Sequence, residues 1–237
     1  MTQSKPSVLG LIPARGGSKR IPQKNIRPFL GKPILDYAIK AAQACALFDD
    51  VVVSTDCEKI AAIARDCDAS TPFMRPPALA DDFTGTQAVV EHAIKALAAH
   101  GQHFDYVCCI YATNPLLQSA ALVEGFNRLR QEQCDYVVSA VAFDFPIQRA
   151  LVCDGNKIMP AQAESMLARS QDLTPMYHDA AQFYWGTSQA FSHGKLLWGD
   201  KTRAVILPST QVQDIDTLDD WVIAEIKYQR LQEQLGG

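Results

Sequence analysis

Apolar positions in this chain fall into short continuous runs separated by longer stretches of helical period. Val8–Ile12, Val51–Ser54, Tyr106–Tyr111 and Tyr136–Phe143 are the runs, and the first has the short, wholly apolar character expected of a buried parallel strand. Between them, Pro33–Ala44 predicts a helix with Pro33 in its first turn and Leu35, Ala38, Ile39 and Ala42 on one face. Glu58–Cys67 predicts a short helix with Ile60, Ile63 and Ala64 inward. Thr86–Ala99 predicts another, with Thr86 as its N-cap, and Ala120–Glu132 a fourth. Later, Gln182–Thr187 and Arg203–Leu207 read as strands. Thr217–Leu235 reads as a closing amphipathic helix, with Leu218, Val222, Ile226 and Leu231 at helical spacing. Alternating strands and helices predict an α/β, Rossmann-like, mostly parallel doubly wound sheet.

The alternation stops around Asp144. Residues 144–176 mix Pro146, Pro160, Pro175 and Gly155 with polar pieces and hold no sustained period. A segment this long without elements of its own is unusual inside a compact domain. Its apolar residues, Ile147, Leu151, Val152, Ile158, Met159, Met166 and Leu167, need a covering surface. Residues 1–143 and 177–237 therefore read as one α/β domain and 144–176 as an insertion, either a small protruding unit or a lid.

With 237 residues and 48% hydrophobic side chains the chain can build one large core. A net charge of −4 argues against nucleic acid as a partner. The seven cysteines show no metal-ligand spacing, and Cys108 and Cys109 sit inside an apolar run as core thiols. No apolar run approaches a membrane span or a signal-peptide core, so a reducing cytoplasm is the expected compartment.

Against this mildly acidic background, the loop after the first strand carries Arg15, Lys19, Arg20, Lys24 and Arg27 beside Gly16 and Gly17. Paired glycines bring backbone N–H groups close to a ligand, and the cations neutralise charge. A loop of this kind, leaving a central strand toward a helix, suits a polyphosphate. It is not a Walker loop, because G-x-x-x-x-G-K-[ST] is absent, and the G-x-G-x-x-G fingerprint is absent too.

Ala14-Arg15-Gly16-Gly17-Ser18-Lys19-Arg20-Ile21-Pro22, followed by Lys24-Asn25, resembles the signature loop of the cytidylyltransferases that load acidic nine-carbon sugars onto CMP. The likeness continues through Ser54-Thr55-Asp56, Arg75-Pro76-Pro77, Thr113-Asn114-Pro115-Leu116 and Asp214-Ile215-Asp216-Thr217, spanning nearly the whole chain in order. The resemblance implies the nucleotide-diphospho-sugar transferase type of fold. It also implies that 144–176 is a dimerisation unit crossing to a second subunit in a homodimer. The implied reaction is attack of a sugar hydroxyl on the α-phosphate of CTP, with pyrophosphate leaving.

Under that resemblance Arg15 and Lys19 contact the triphosphate, helped by Ala14 and the N–H groups of Gly16, Gly17 and Ser18. Lys24 and Asn25 match a Lys-Asn pair that steadies the loop or phosphates and approaches the ribose. Arg20 and Arg27 read equally as solvated cations. Arg75 opens the loop that reads the pyrimidine, and Thr86 brings a hydroxyl to the nucleotide. Asp214 and Asp216, alternate residues of an extended stretch, can meet one Mg²⁺. Taken alone, Asp-Ile-Asp-Thr is also a helix cap through Asp216 or Thr217, and both roles can coexist. Asp81 and Asp82 read as loop structure.

Two stretches depart from the sialic acid pattern. Tyr111-Ala112-Thr113-Asn114 stands where most sialic acid members have Gln-Pro-Thr-Ser. Tyr177-His178-Asp179-Ala180-Ala181-Gln182-Phe183-Tyr184-Trp185 looks like the pseudaminic acid cytidylyltransferases. Tyr111, Thr113, Asn114, His178 and Gln182 are therefore the expected sugar contacts, with His178 alternatively a satisfied histidine at a strand edge. Competing readings are a transferase for sialic or another nonulosonic acid, one for an eight-carbon acid or neutral sugar phosphate, and a silent nucleotide-binding module. The last would be expected to lack the aspartates or loop cations, which this chain keeps.

Overall fold

The computed structural model describes residues 5–235. Six strands form one sheet: β1 (Val8–Pro13), β4 (Asp50–Ser54), β5 (Tyr106–Ile110), β6 (Tyr136–Ala142), β9 (Tyr177–Thr187) and β10 (Thr202–Leu207), ordered β10-β6-β9-β5-β1-β4. Five run parallel; β9 is antiparallel to both neighbours, β5 and β6. Its direction has a local cause. Tyr177 pairs with Ala142, so β9 folds straight back along β6 as a hairpin whose loop is the 143–176 segment.

Helices α1 (Ile34–Ala44), α2 (Glu58–Asp66) and α4 (Ser119–Gln131) cover one face, while α3 (Thr86–Ala99) and α5 (Ser188–Ser192) cover the other. Strand alternation divides the core between them: Val8, Ile12 and Cys108 join the first cluster, and Leu9, Leu11 and Cys109 the second. A miniature hairpin of β2 (Pro28–Phe29) and β3 (Lys32–Pro33) ends the cationic loop. Phe29 is wholly buried there, edge-on to Tyr37, Trp221 and Tyr228, which docks the last helix, α6 (Leu218–Leu235), under the loop.

Three expectations need correcting. Helix α6 buries Trp221, Ala224 and Leu231, whereas Leu218, Val222 and Ile226 are 54%, 54% and 60% exposed. The helix carries two apolar stripes, and the one with the tryptophan takes the core because it alone reaches Phe29. Thr86 is not a cap: Gly85 stands at the N-cap of α3 without a side-chain bond, and the Thr86 hydroxyl bonds Tyr111 instead. Finally, 144–176 is not without strands. Leu151–Asp154 (β7) and Lys157–Pro160 (β8) pair antiparallel about Gly155, flanked by short 3₁₀ turns. Both strands are fully exposed along their length, with Leu151, Val152, Ile158 and Met159 each more than half accessible.

Candidate active site

The carboxyl ends of β1, β4 and β5 open into a cleft of about 390 Å³ lined by Arg15, Ser18, Lys19, Lys24, Asn25, Arg75, Thr86, Tyr111 and Thr113. This is where parallel sheets place ligands, because successive loops diverge there. All nine are residues expected at a nucleotide, phosphate or sugar; the structure adds the placement of each.

The cationic loop is held from below by backbone. Ala14 N donates to Ser54 O at 2.9 Å, Gly16 N to the Asp56 carboxylate at 2.9 Å, and the Asn25 amide to Arg15 O at 2.8 Å. Asn25 is thereby a buried brace of the loop. Gly16 is required by proximity rather than by torsion: a Cβ there would lie 2.9 Å from Cys57 Cβ, whereas Gly17 has nothing within 4 Å. Arg15 and Lys19 are not bare. The Asp82 carboxylate lies 2.7 Å from Arg15 and 2.5 Å from Lys19, and Arg15 also donates to Asp81 O at 2.5 Å. The Lys19 and then the Arg15 hydrogen bond hold the Asp82 carboxyl below the usual carboxylate range. Asp81 does shape the loop, accepting from Phe83 N and Thr84 N; Asp82 instead serves as an anion on the two cations. Sequence distance hid this role, because 67 positions separate Arg15 from Asp82 in the chain.

On the opposite wall Arg75 is 4% exposed, with Nε and Nη2 buried and unpartnered. Its backbone N–H donates to Thr55 O at 2.8 Å, and Asp56 stands 3.8 Å from Nη2. Burial pushes the guanidinium pKa down and Asp56 opposes it. His92, read from sequence as a surface or helix residue, packs edge-on to Phe73 with a buried, unpartnered Nδ1. Burial and then Arg75 lower its pKa. Thr86 and Tyr111 share a 2.8 Å hydrogen bond on the cleft wall.

The Asp-x-Asp segment reaches the loop through cations. Arg20 lies 2.7 Å and Lys24 3.6 Å from Asp216, and Lys24 also donates to Ile215 O at 2.5 Å. Capping of α6 falls to Thr217 and Asp220, which exchange reciprocal hydrogen bonds, so Asp216 is not spent as a cap. Asp214 faces a second cavity of about 310 Å³ shared with Asp144, His178, Asp179 and Lys227. Burial and then Asp216 push its carboxyl above the usual range. Among the described residues no third acidic, imidazole or thiol group joins the two aspartates. Two hard oxygen ligands fit a Mg²⁺ that fills its remaining positions with water and phosphate oxygens.

The expected sugar contacts separate. Tyr111 and Thr113 line the nucleotide cleft. His178 is exposed, packs at a tilt against Phe143 with ring centres 4.8 Å apart, and faces the second cavity. Asn114 and Gln182 are buried, at 3% and 1% exposure, and their amides serve the backbone. Asn114 donates to Ala181 O at 2.9 Å and reaches the carbonyls of Tyr111 and Gln182, while Gln182 donates to Gln211 O at 2.6 Å. They hold the β5 and β9 ends that carry Tyr111 and Asp179. Asp179, in the same stretch, accepts a hydrogen bond from the Tyr184 hydroxyl and lines the second cavity.

The sequence profile described as Cytidylyltransferase matches residues 9–205. The chain is 42% identical to the pseudaminic acid cytidylyltransferase of Campylobacter jejuni over 221 residues, 93% of this chain and 95% of that protein. It is 30% identical to the CMP-N,N'-diacetyllegionaminic acid synthase of Legionella pneumophila, covering 96% and 99% of the two. A solved CMP:2-keto-3-deoxy-manno-octonic acid synthetase complexed with CTP has the same fold, with a TM-score of 0.69 at 14% identity over 96% of this chain and 99% of that one.

Proposed function

The chain belongs to the cytidylyltransferase family of nucleotidyl-transferring enzymes, and we propose that it converts CTP and pseudaminic acid to CMP-pseudaminic acid and pyrophosphate. The observation that carries the choice of sugar is near-full-length similarity to a pseudaminic acid enzyme, together with the His178–Trp185 stretch beside the second cavity.

In this reading the triphosphate lies along the cationic loop. Arg15 offers a planar fork to its oxygens, Lys19 a point charge, and the loop N–H groups further donors. Arg75 turns its guanidinium toward the pyrimidine O2. The acceptor occupies the His178 cavity, so that its hydroxyl meets the α-phosphate near the aspartates. Asp214 and Asp216 would hold Mg²⁺, which neutralises the triphosphate and the departing pyrophosphate when bound. Catalysis then rests on positioning and charge neutralisation.

The active unit is a homodimer. The exposed apolar residues of the β7–β8 hairpin find no place against their own subunit, and a closed pair of chains would cover them. No helix among the described residues is long and apolar enough to cross a membrane. A cytoplasmic site of action is consistent with seven free cysteines. The deciding experiment incubates the protein with CTP, Mg²⁺ and a panel of nonulosonic acids, with CMP-sugars detected by mass. Pseudaminic acid is expected to show kcat/KM at least about tenfold above N-acetylneuraminic acid, roughly 1.4 kcal/mol. Equal or better use of N-acetylneuraminic acid would overturn the choice of sugar.

A further inference from the structure

The tripeptide that leaves β4, Ser54-Thr55-Asp56, touches both walls of the nucleotide cleft. Ser54 O accepts from Ala14 N at 2.9 Å, and Asp56 Oδ1 accepts from Gly16 N at 2.9 Å, so two of its residues fasten the phosphate loop. Thr55 O accepts from Arg75 N at 2.8 Å, which fixes the backbone from which the guanidinium projects. The same Oδ1 that receives Gly16 lies 3.8 Å from Arg75 Nη2. A guanidinium so buried needs an opposite charge nearby, and Asp56 is the carboxylate that faces it.

We propose that Asp56 is a positioning residue that ties the base-reading Arg75 to the phosphate-binding loop and so sets the spacing at which the two ends of CTP are recognised. One oxygen performs two separable tasks. As a hydrogen-bond acceptor it anchors Gly16, whose close approach to Cys57 leaves the loop no room to settle deeper. As a negative charge it keeps Arg75 oriented, since Nε and Nη2 have no other partner to hold them. The idea rests on the cleft being the CTP site, but its test needs no acceptor sugar.

Calorimetry with two probes, CTP and inorganic tripolyphosphate, each with Mg²⁺, separates the tasks. Asp56→Asn keeps an acceptor for Gly16 and removes the charge facing Arg75. It is expected to weaken CTP about tenfold and leave tripolyphosphate within about twofold. Asp56→Ala removes both and is expected to weaken tripolyphosphate about fivefold as well, a loss that Asp56→Asn rescues. Arg75→Lys should reproduce the Asp56→Asn pattern, and the double variant should be no worse than the poorer single within about twofold. Wild-type CTP affinity in Asp56→Asn, or single effects that multiply in the double variant, would overturn the proposal. So would an Asp56→Asn chain that unfolds below the assay temperature, because Asp56 would then be holding the fold. Failure of the wild-type chain to bind CTP would instead sink the nucleotide reading itself.

Discussion

Asp82 Oδ1 lies 2.7 Å from Arg15 Nη1, placing a carboxylate of the chain itself on a cation that the triphosphate is expected to use. Lys19 meets the other oxygen at 2.5 Å. In the proposed complex CTP displaces this resident anion. Asp82→Asn is expected to tighten CTP binding by about 1.4- to 5-fold, the range for an exposed ion pair. The gain should shrink as salt rises. Titration calorimetry at two ionic strengths measures it, and weaker binding would mean that Asp82 helps hold the nucleotide.

Asp214 should trade stability for activity. Its carboxyl is raised above the ordinary value by burial and by Asp216, so its charge is a penalty in the metal-free fold. A raised carboxyl favours the fold relative to neutral pH only while protonated, and that advantage fades as pH climbs through the raised value. Asp214→Asn is therefore expected to unfold at a higher temperature than wild type in EDTA at pH 7–8. The difference should vanish below about pH 3, where the carboxyl is neutral both folded and unfolded. In turnover the same variant, like Asp216→Asn, should lose on the order of a hundredfold. Near-normal rates for both at saturating Mg²⁺ would remove the pair from the chemistry.

The two loop glycines should differ. Gly16→Ala forces a Cβ to 2.9 Å from Cys57, so both thermal stability and CTP affinity are expected to fall. Gly17→Ala meets nothing within 4 Å and should leave the unfolding temperature unchanged. Equal destabilisation by the two would contradict the packing described for the loop.

Asn114 and His178 were expected together at the sugar, and they should now separate in experiment. Asn114→Ala deprives the part-buried Ala181 carbonyl and the buried Gln182 carbonyl of a donor, a cost of about 1–3 kcal/mol visible in denaturant unfolding. His178→Ala should unfold like wild type while lowering the acceptor's kcat/KM with little change in CTP binding. A stability loss in His178→Ala with unchanged acceptor kinetics would make it a structural residue.

Sedimentation should find two copies per particle at micromolar concentration. Leu151→Asp with Met159→Asp, both on the exposed β7–β8 hairpin, should convert the particle to monomer. An active wild-type monomer would favour a lid role for 144–176.

Much of this protein was legible along its length because local physics speaks at short range. Runs such as Val8–Ile12 are strands in any context that buries them, and α1 and α3 follow from apolar period alone. Five cations beside Gly16 and Gly17 likewise mark the loop as a candidate polyphosphate site from sequence alone. What tertiary structure alone decided concerns choices between equals. Helix α6 carries two apolar stripes, and only the packing of Trp221 on Phe29 settled which one is buried. Asn114 and Gln182 can bind a sugar or a carbonyl with the same amide, and the β9 hairpin supplied the carbonyls. Asp56 and Asp82 are plain acidic residues until folding brings Gly16, Arg75, Arg15 and Lys19 within reach. Charge pairing depends on separations of a few ångströms between residues dozens of positions apart, and no periodicity in a sequence encodes that.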